Sequence, residues 1–321
     1  MLRNLRRNLV LAVVLGVVVY AGLAVSTDVG SLGDELRTFP WWALGAALGL
    51  AFANYLVRFG KWEIYRRQLG IRLGPGESFG IFLAGFVMSV TPAKVGEVLK
   101  SFLLRERHGV PIATSAPIVL AERLTDLIAL IGLAAVGALS FRRGAWVLVA
   151  GGALVAGLVV VVGVRAVGER LARLLGRLPV LRRKAEAVHE LFRSAHVLCR
   201  PASLPVPVLL SVAGWFCECV AMWVVLDAFP GVDADLGTVT FIYSLSTVAG
   251  ALAMMPGGLG VTEGGLTGLV VLLVPAVRPG VASATTILIR FATLWFAVIV
   301  GLVALAALGR RRAAAAPEGR P

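Results

Sequence analysis

The sequence predicts an all-α fold, a polytopic integral membrane bundle, and three observations carry that prediction. Of 321 residues, 58% are hydrophobic and only 15% are charged, and the mean hydropathy is +0.88. A soluble chain of this length needs more charge to cover a surface facing water. The charges that exist are also bunched between apolar runs, several of them near the roughly 20 residues that cross a bilayer as a helix. Finally, the net charge of +13 sits largely in the segments between those runs. It therefore reads as basic loops kept on the cytoplasmic face, not as a nucleic-acid surface.

In chain order, Arg3, Arg6 and Arg7 precede a run over 9–26, read as an uncleaved first span whose N-terminus lies inside. Asp28, Asp34 and Glu35 follow on the outside. A second span, 41–60, returns to Arg58, Lys61, Arg66, Arg67 and Arg72, taken as a cytoplasmic cluster. Further spans are expected over 114–140, 145–164, 205–228 and 284–308, the last leading to Arg310, Arg311 and Arg312 inside. Two apolar stretches are interrupted instead. Residues 78–105 break at Thr91-Pro92, and residues 237–274 break at Met255-Pro256-Gly257-Gly258. Proline and glycine end helices, and irregular backbone at membrane depth needs protein or water around it. Both stretches are therefore predicted to be hairpins of two half-helices. The flanking charges have the first entering from the cytoplasm and the second from outside. The architecture is then about six full spans plus two hairpins.

The expected organisation is one transmembrane domain over 1–312, with a first repeat at 41–140, a spacer span at 145–164 and a second repeat at 205–308. Between the last two lies a basic segment, 165–203, which reads equally as interfacial helices or as a positive-inside loop. Residues 313–321 are expected to be a disordered tail. The repeats rest on detail. T-P-A-K-V-G-E (Thr91 to Glu97) and M-P-G-G-L-G-V-T-E (Met255 to Glu263) share a proline break, a small-residue turn and a following glutamate. An arginine follows each glutamate at nearly the same interval, Arg123 after Glu97 and Arg290 after Glu263. Inverted repeats built on broken helices are a transporter architecture.

Ionisable groups inside spans persist mainly where they pair or face water. The candidates for substrate binding or gating are Pro92, Lys94, Glu97, Glu122, Arg123, Asp126, Glu218, Pro256, Gly257, Gly258, Gly260, Glu263 and Arg290. Glu122 and Asp126 share a helix face, and Arg123 points about 100° from Glu122, so Arg123 and Arg290 are expected to reach the hairpin glutamates or an anionic headgroup. Such pairs can serve as gates or simply hold the hairpins. Free N–H groups at the start of the half-helix near Gly257–Gly260 would also favour an anion. The three cysteines, Cys199, Cys217 and Cys219, form neither an even disulfide set nor a metal pair. No nucleophile–base set and no nucleotide loop is present. No metal and no cofactor is expected.

The first hairpin with its Gly96-Glu97, the A-E-R-L-T-D of Ala121 to Asp126, and above all M-P-G-G-L-G-V-T-E resemble the flippase-like family named after the lysylphosphatidylglycerol synthase transmembrane region. The resemblance covers nearly the whole chain. It implies movement of a modified lipid between leaflets, and related domains occur beside glycosyltransferases that act on lipid carriers. No soluble catalytic domain follows residue 312, so a stand-alone member is expected. The resulting expectation is a lipid flippase or transporter of the inner (cytoplasmic) membrane, with both termini cytoplasmic. Its substrate would be an anionic or modified phospholipid or a polyprenyl-linked lipid, and a homo-oligomer fits the class. One alternative is a membrane subunit that presents lipid to a separate lipid-modifying enzyme. An intramembrane transferase with Glu97 or Glu263 as base has less support, because no partner group for the chemistry is visible.

Overall fold

The computed structural model describes residues 14–22, 29–90, 95–139, 153, 157, 194 and 196–315, and every regular element among them is a helix. In order these are α1 (of which 14–22 are described), α2 (Val29–Thr38), α3 (Trp42–Gln68), α4 (Pro75–Ala84), α5 (Leu99–His108) and α6 (Ile112–Ala138). There follow α7 (Pro205–Asp227), α8 (Leu236–Leu252), α9 (Val261–Leu273), α10 (Pro279–Arg290) and α11 (Phe296–Ala315). The expected spacer span at 145–164 and most of the basic segment at 165–203 lie outside the described residues, as do Pro92 and Lys94.

Among the described residues three helices have the length and composition to cross a membrane: Trp42–Gln68, Pro205–Asp227 and Pro279–Arg310. The last is α10 and α11 run together through a π-helical turn at Phe291–Trp295. α6 equals α3 in length, 27 residues, but carries Glu122, Arg123 and Asp126 near its middle. It starts on Pro111 in extended conformation and continues through Pro117.

The second interrupted stretch is broken where the sequence places its break, and in the first, short turns stand on either side of Thr91-Pro92, which lie outside the described residues. α4 passes into a short 3-10 turn at Gly85–Met88, and a second 3-10 turn, Val95–Val98, leads into α5. α8 stops at Leu252, and α9 begins after Gly257, Gly258 and Gly260, all with positive φ (63°, 70° and 89°). That conformation costs a side-chain-bearing residue energy and costs glycine little. The breaks meet. A side chain at Gly257 would lie 3.5 Å from the Val90 Cα, and Val90, Leu259, Leu294 and Val298 form a small buried cluster with Leu15, Val19 and Trp295 at its edge.

Two larger cores flank that junction. One joins the start of α3 to the ends of α6 and α7, with Phe39, Ala43, Leu133, Met222, Val225 and Phe229. The other joins the far end of α3 to the start of α6 and to α4, α5 and α11, with Trp62, Tyr65, Phe82, Leu104, Ile118 and Leu308. α3 therefore runs antiparallel to α6 and α7. Helices approach closely where a glycine replaces a side chain. A Cβ on Gly301 of α11 would lie 2.5 Å from the Val87 backbone nitrogen, and one on Gly137 of α6 would lie 2.6 Å from the Gly237 carbonyl oxygen on α8.

Two sequence expectations need correction. The second span does not end at residue 60. α3 continues to Gln68, so Arg58, Lys61 and Arg66 are buried on a helix instead of lying in a solvated cytoplasmic loop. They are buried because each meets a carboxylate, Asp126 for the first two and Glu63 for Arg66. The expected disordered tail begins too early, since α11 extends to Ala315.

Candidate functional site

α6 supplies the centre of the first polar cluster. Glu122 and Asp126 are one helical turn apart and both buried, with Arg123 between them. Lys100 on α5 gives Glu122 a contact of 2.6 Å and lies 3.6 Å from Glu97. Its ammonium also sits 5.0 Å from the Trp62 ring centroid and 5.6 Å from that of Phe82, a desolvated cation between aromatic faces. Arg123 reaches Glu97 at 3.3 Å and Asp126 at 3.2 Å, the first of which is the expected arginine-to-hairpin contact.

Asp126 is shared further. Lys61, wholly buried, donates to Asp126 Oδ1 at 2.6 Å, to Ser211 Oγ at 2.7 Å and to Thr125 Oγ1 at 3.3 Å. Three ammonium donors thus have three acceptors, the condition under which a buried lysine is tolerated. The Ser211 hydroxyl in turn donates to Asp126 Oδ1 at 3.1 Å, which pins α3, α6 and α7 to one point. Arg58 stands 3.6 Å from Asp126 Oδ2, over the Phe86 ring.

The second broken stretch is held by its own pair. Arg290 Nε donates to Glu263 Oε1 at 2.6 Å, and Arg290 Nη2 donates to the Gly257 carbonyl at 2.6 Å. The other oxygen of Glu263 accepts the Gly260 N–H at 2.7 Å. Glu263 therefore caps its own helix and neutralises Arg290 at once. This corrects the expectation of free amides at Gly257–Gly260. Gly260 N–H goes to Glu263, Gly258 N–H to the Met255 carbonyl and Leu259 N–H to the Pro256 carbonyl. Gly258 and Gly260 serve the turn, and Pro256 supplies a carbonyl to it.

Glu218, midway along α7, is held by the Asn54 side-chain amide and by the Tyr243 hydroxyl at 2.5 Å. Tyr55 donates to the Thr293 carbonyl at 3.4 Å, within the π-helical turn, where the widened helix frees backbone carbonyls from their usual partners. That bond links α3 to the turn between α10 and α11.

Between these groups lies a cavity of about 280 Å³. Arg58, Arg123, Asp126, Glu218 and Arg290 reach its wall, together with the aromatic side chains of Tyr55, Phe86, Trp215 and Tyr243. Gly250, Gly257 and Gly258 bring backbone to the same wall, and Leu252 and Met255, exposed at the second break, form an apolar edge. Of the residues singled out in the sequence, Arg123, Asp126, Glu218, Gly257, Gly258 and Arg290 line the cavity. Glu97, Glu122 and Glu263 stand behind it and hold cations in place. Sequence reasoning missed Asn54, Tyr55, Arg58, Lys61, Lys100 and Tyr243 as site residues. A signal existed for part of this set: Asn54, Arg58, Lys61 and Tyr65 recur at helical spacing and form a polar stripe on an otherwise apolar run.

Residues 9–301 match the family model described as the lysylphosphatidylglycerol synthase TM region. The chain is also similar to a UPF0104 membrane protein of Methanothermobacter thermautotrophicus, 26% identical over 92% of this chain and 94% of the relative. A UPF0104 membrane protein of Methanocaldococcus jannaschii is 26% identical over 68% of this chain and 92% of its own length.

Proposed function

The chain belongs to the lysylphosphatidylglycerol synthase transmembrane-region family, a multi-pass integral membrane protein, and from that premise we propose that it is a lipid transporter. It would move an anionic or modified phospholipid, or a polyprenyl-linked lipid, between leaflets of the cytoplasmic membrane. The observation that carries this reading is the cavity: arginines from both halves of the chain face one 280 Å³ space with an apolar edge. A charged headgroup can enter such a space while acyl chains stay in hydrocarbon, which removes most of the cost of carrying charge across a bilayer. On the same reading the two broken stretches are inverted hairpins that rock against each other around the buried pairs. Two ties support it. Glu77 at the start of α4 contacts Arg107 and His108 at the end of α5, at 3.3 and 3.1 Å, so this stretch leaves and returns at one end of the bundle. At the opposite end Arg278, before α10, contacts Glu35 of α2 at 3.0 Å.

Reconstitution tests the proposal. In vesicles carrying fluorescent phosphatidylglycerol, the protein should speed loss of the protected inner-leaflet signal to an external quencher. Folded protein that accelerates exchange of neither anionic phospholipids nor a polyprenyl phosphate would refute it. In intact cells an impermeant thiol reagent should label Asp34→Cys and spare Arg310→Cys, in keeping with both termini inside; the reverse pattern would overturn the orientation.

A further inference from the structure

The three cavity arginines are not equally engaged. Arg290 gives Nε to Glu263 and Nη2 to the Gly257 carbonyl, both at 2.6 Å. Arg58 has one carboxylate contact, 3.6 Å from Asp126 Oδ2. Its residue is only 6% exposed, and among the described residues its Nε has no acceptor. Arg123 reaches Glu97 only at 3.3 and 3.4 Å, and its buried Nε likewise has no acceptor there. Asp126 Oδ2 lies between these two guanidinium groups, 3.2 and 3.6 Å away, and accepts a well-formed hydrogen bond from neither. Asp126 is already served on its other oxygen by Lys61 and Ser211.

Burying N–H donors without acceptors is costly, and charged donors most of all. Two guanidinium groups so under-engaged line one cavity, one of them held over the Phe86 ring at 5.6 Å, and together they form a preorganised receptor for an anion with several oxygens. We propose that Arg58 and Arg123 are a phosphate-binding fork: the ligand's phosphate oxygens take guanidinium N–H groups of the two cavity-lining arginines that Asp126 does not engage, while Arg290 remains a latch of the second broken stretch. This deepens the transport reading, on which the phosphate is that of a lipid headgroup, and the fork itself is testable apart from transport.

Isothermal titration of the full-length protein in non-ionic detergent, with inorganic phosphate and with water-soluble dihexanoyl phosphatidic acid as separate probes, decides it. The short-chain lipid should bind, and Arg58→Gln or Arg123→Gln should weaken it roughly 10- to 100-fold, the worth of hydrogen bonds to a charged group. Arg58→Lys keeps a cation opposite Asp126 but lacks the fork. It should keep the thermal stability of the unaltered protein and still lose about tenfold in affinity. Arg107→Gln, at the α4–α5 end and away from the cavity, should bind as the unaltered protein does. Absence of binding by both probes, or unchanged affinity in folded Arg58→Lys and Arg123→Gln, overturns the fork. Binding of inorganic phosphate alone, lost in the same variants, upholds the fork and refutes the lipid headgroup as its ligand. Binding that behaves as expected beside vesicles without leaflet exchange upholds the fork and refutes transport.

Discussion

Replacing Glu263 by Gln tests how the second broken stretch is held. The carboxylate receives Arg290 Nε at 2.6 Å on one oxygen and the Gly260 N–H at 2.7 Å on the other, and it is fully buried. A glutamine has one acceptor oxygen for these two donors and turns an NH₂ group toward the second. It also leaves Arg290, 8% exposed, without its counterion. Removing one partner of a buried ion pair costs about 3–5 kcal/mol, and the lost cap adds about 1 kcal/mol. Arg290→Gln should cost less than Glu263→Gln, because the cap at Gly260 survives it. In the double variant the two amides can hydrogen-bond to each other, so the cycle should show a coupling of about 2–3 kcal/mol, in the upper range for contacting residues. Reversible denaturant unfolding in mixed micelles, with α8 and α9 followed by a fluorescent label, measures all four corners. A coupling below about 0.5 kcal/mol, within the additivity of independent sites, would refute the view that Glu263 and Arg290 form one unit.

Two further outcomes bear on packing and on the first cluster. Gly301→Ala places a methyl group 2.5 Å from the Val87 nitrogen and 2.9 Å from the Phe86 carbonyl carbon; because backbone cannot yield as a side chain does, α11 must shift, at about 1–3 kcal/mol. Gly49→Ala meets nothing within 4 Å and should unfold at or above the unaltered midpoint, so equal loss in both would refute the close-contact explanation. Lys61→Met strips Asp126 of its 2.6 Å partner and should lower stability by about 3 kcal/mol, with part regained in Lys61→Met/Asp126→Asn; thermal unfolding in detergent reads both, and a neutral single variant would show that Arg58 and Arg123 already satisfy Asp126.

Much of the architecture was legible because it rests on chemistry written locally. Apolar length marks Pro205–Asp227 as a span whatever surrounds it, and Pro256-Gly257-Gly258 must interrupt a helix because proline lacks a donor and these glycines adopt positive φ. The matched intervals from Glu97 to Arg123 and from Glu263 to Arg290 pointed to pairs that the structure brings together. The helix ends were less legible: the apolar signal of α3 fades near residue 60, but its helix runs to Gln68 since Arg58, Lys61 and Arg66 find carboxylates.

By itself the sequence determined that this chain lives in a membrane, where its helices break, and which few charges are dear enough to matter, since each follows from the cost of exposing polar groups to hydrocarbon. Only the tertiary structure decided how those charges are shared. Whether a cation at the end of an apolar run bends back to water or turns inward depends on what the neighbouring helix offers at that height. α6 offers Asp126 to three cations, α7 offers Ser211 to Lys61, and Glu263 joins the start of its own helix to Arg290. That allocation leaves the Nε groups of Arg58 and Arg123 without an acceptor among the described residues, and no pattern along the sequence encodes it, because it is a property of the distances between helices.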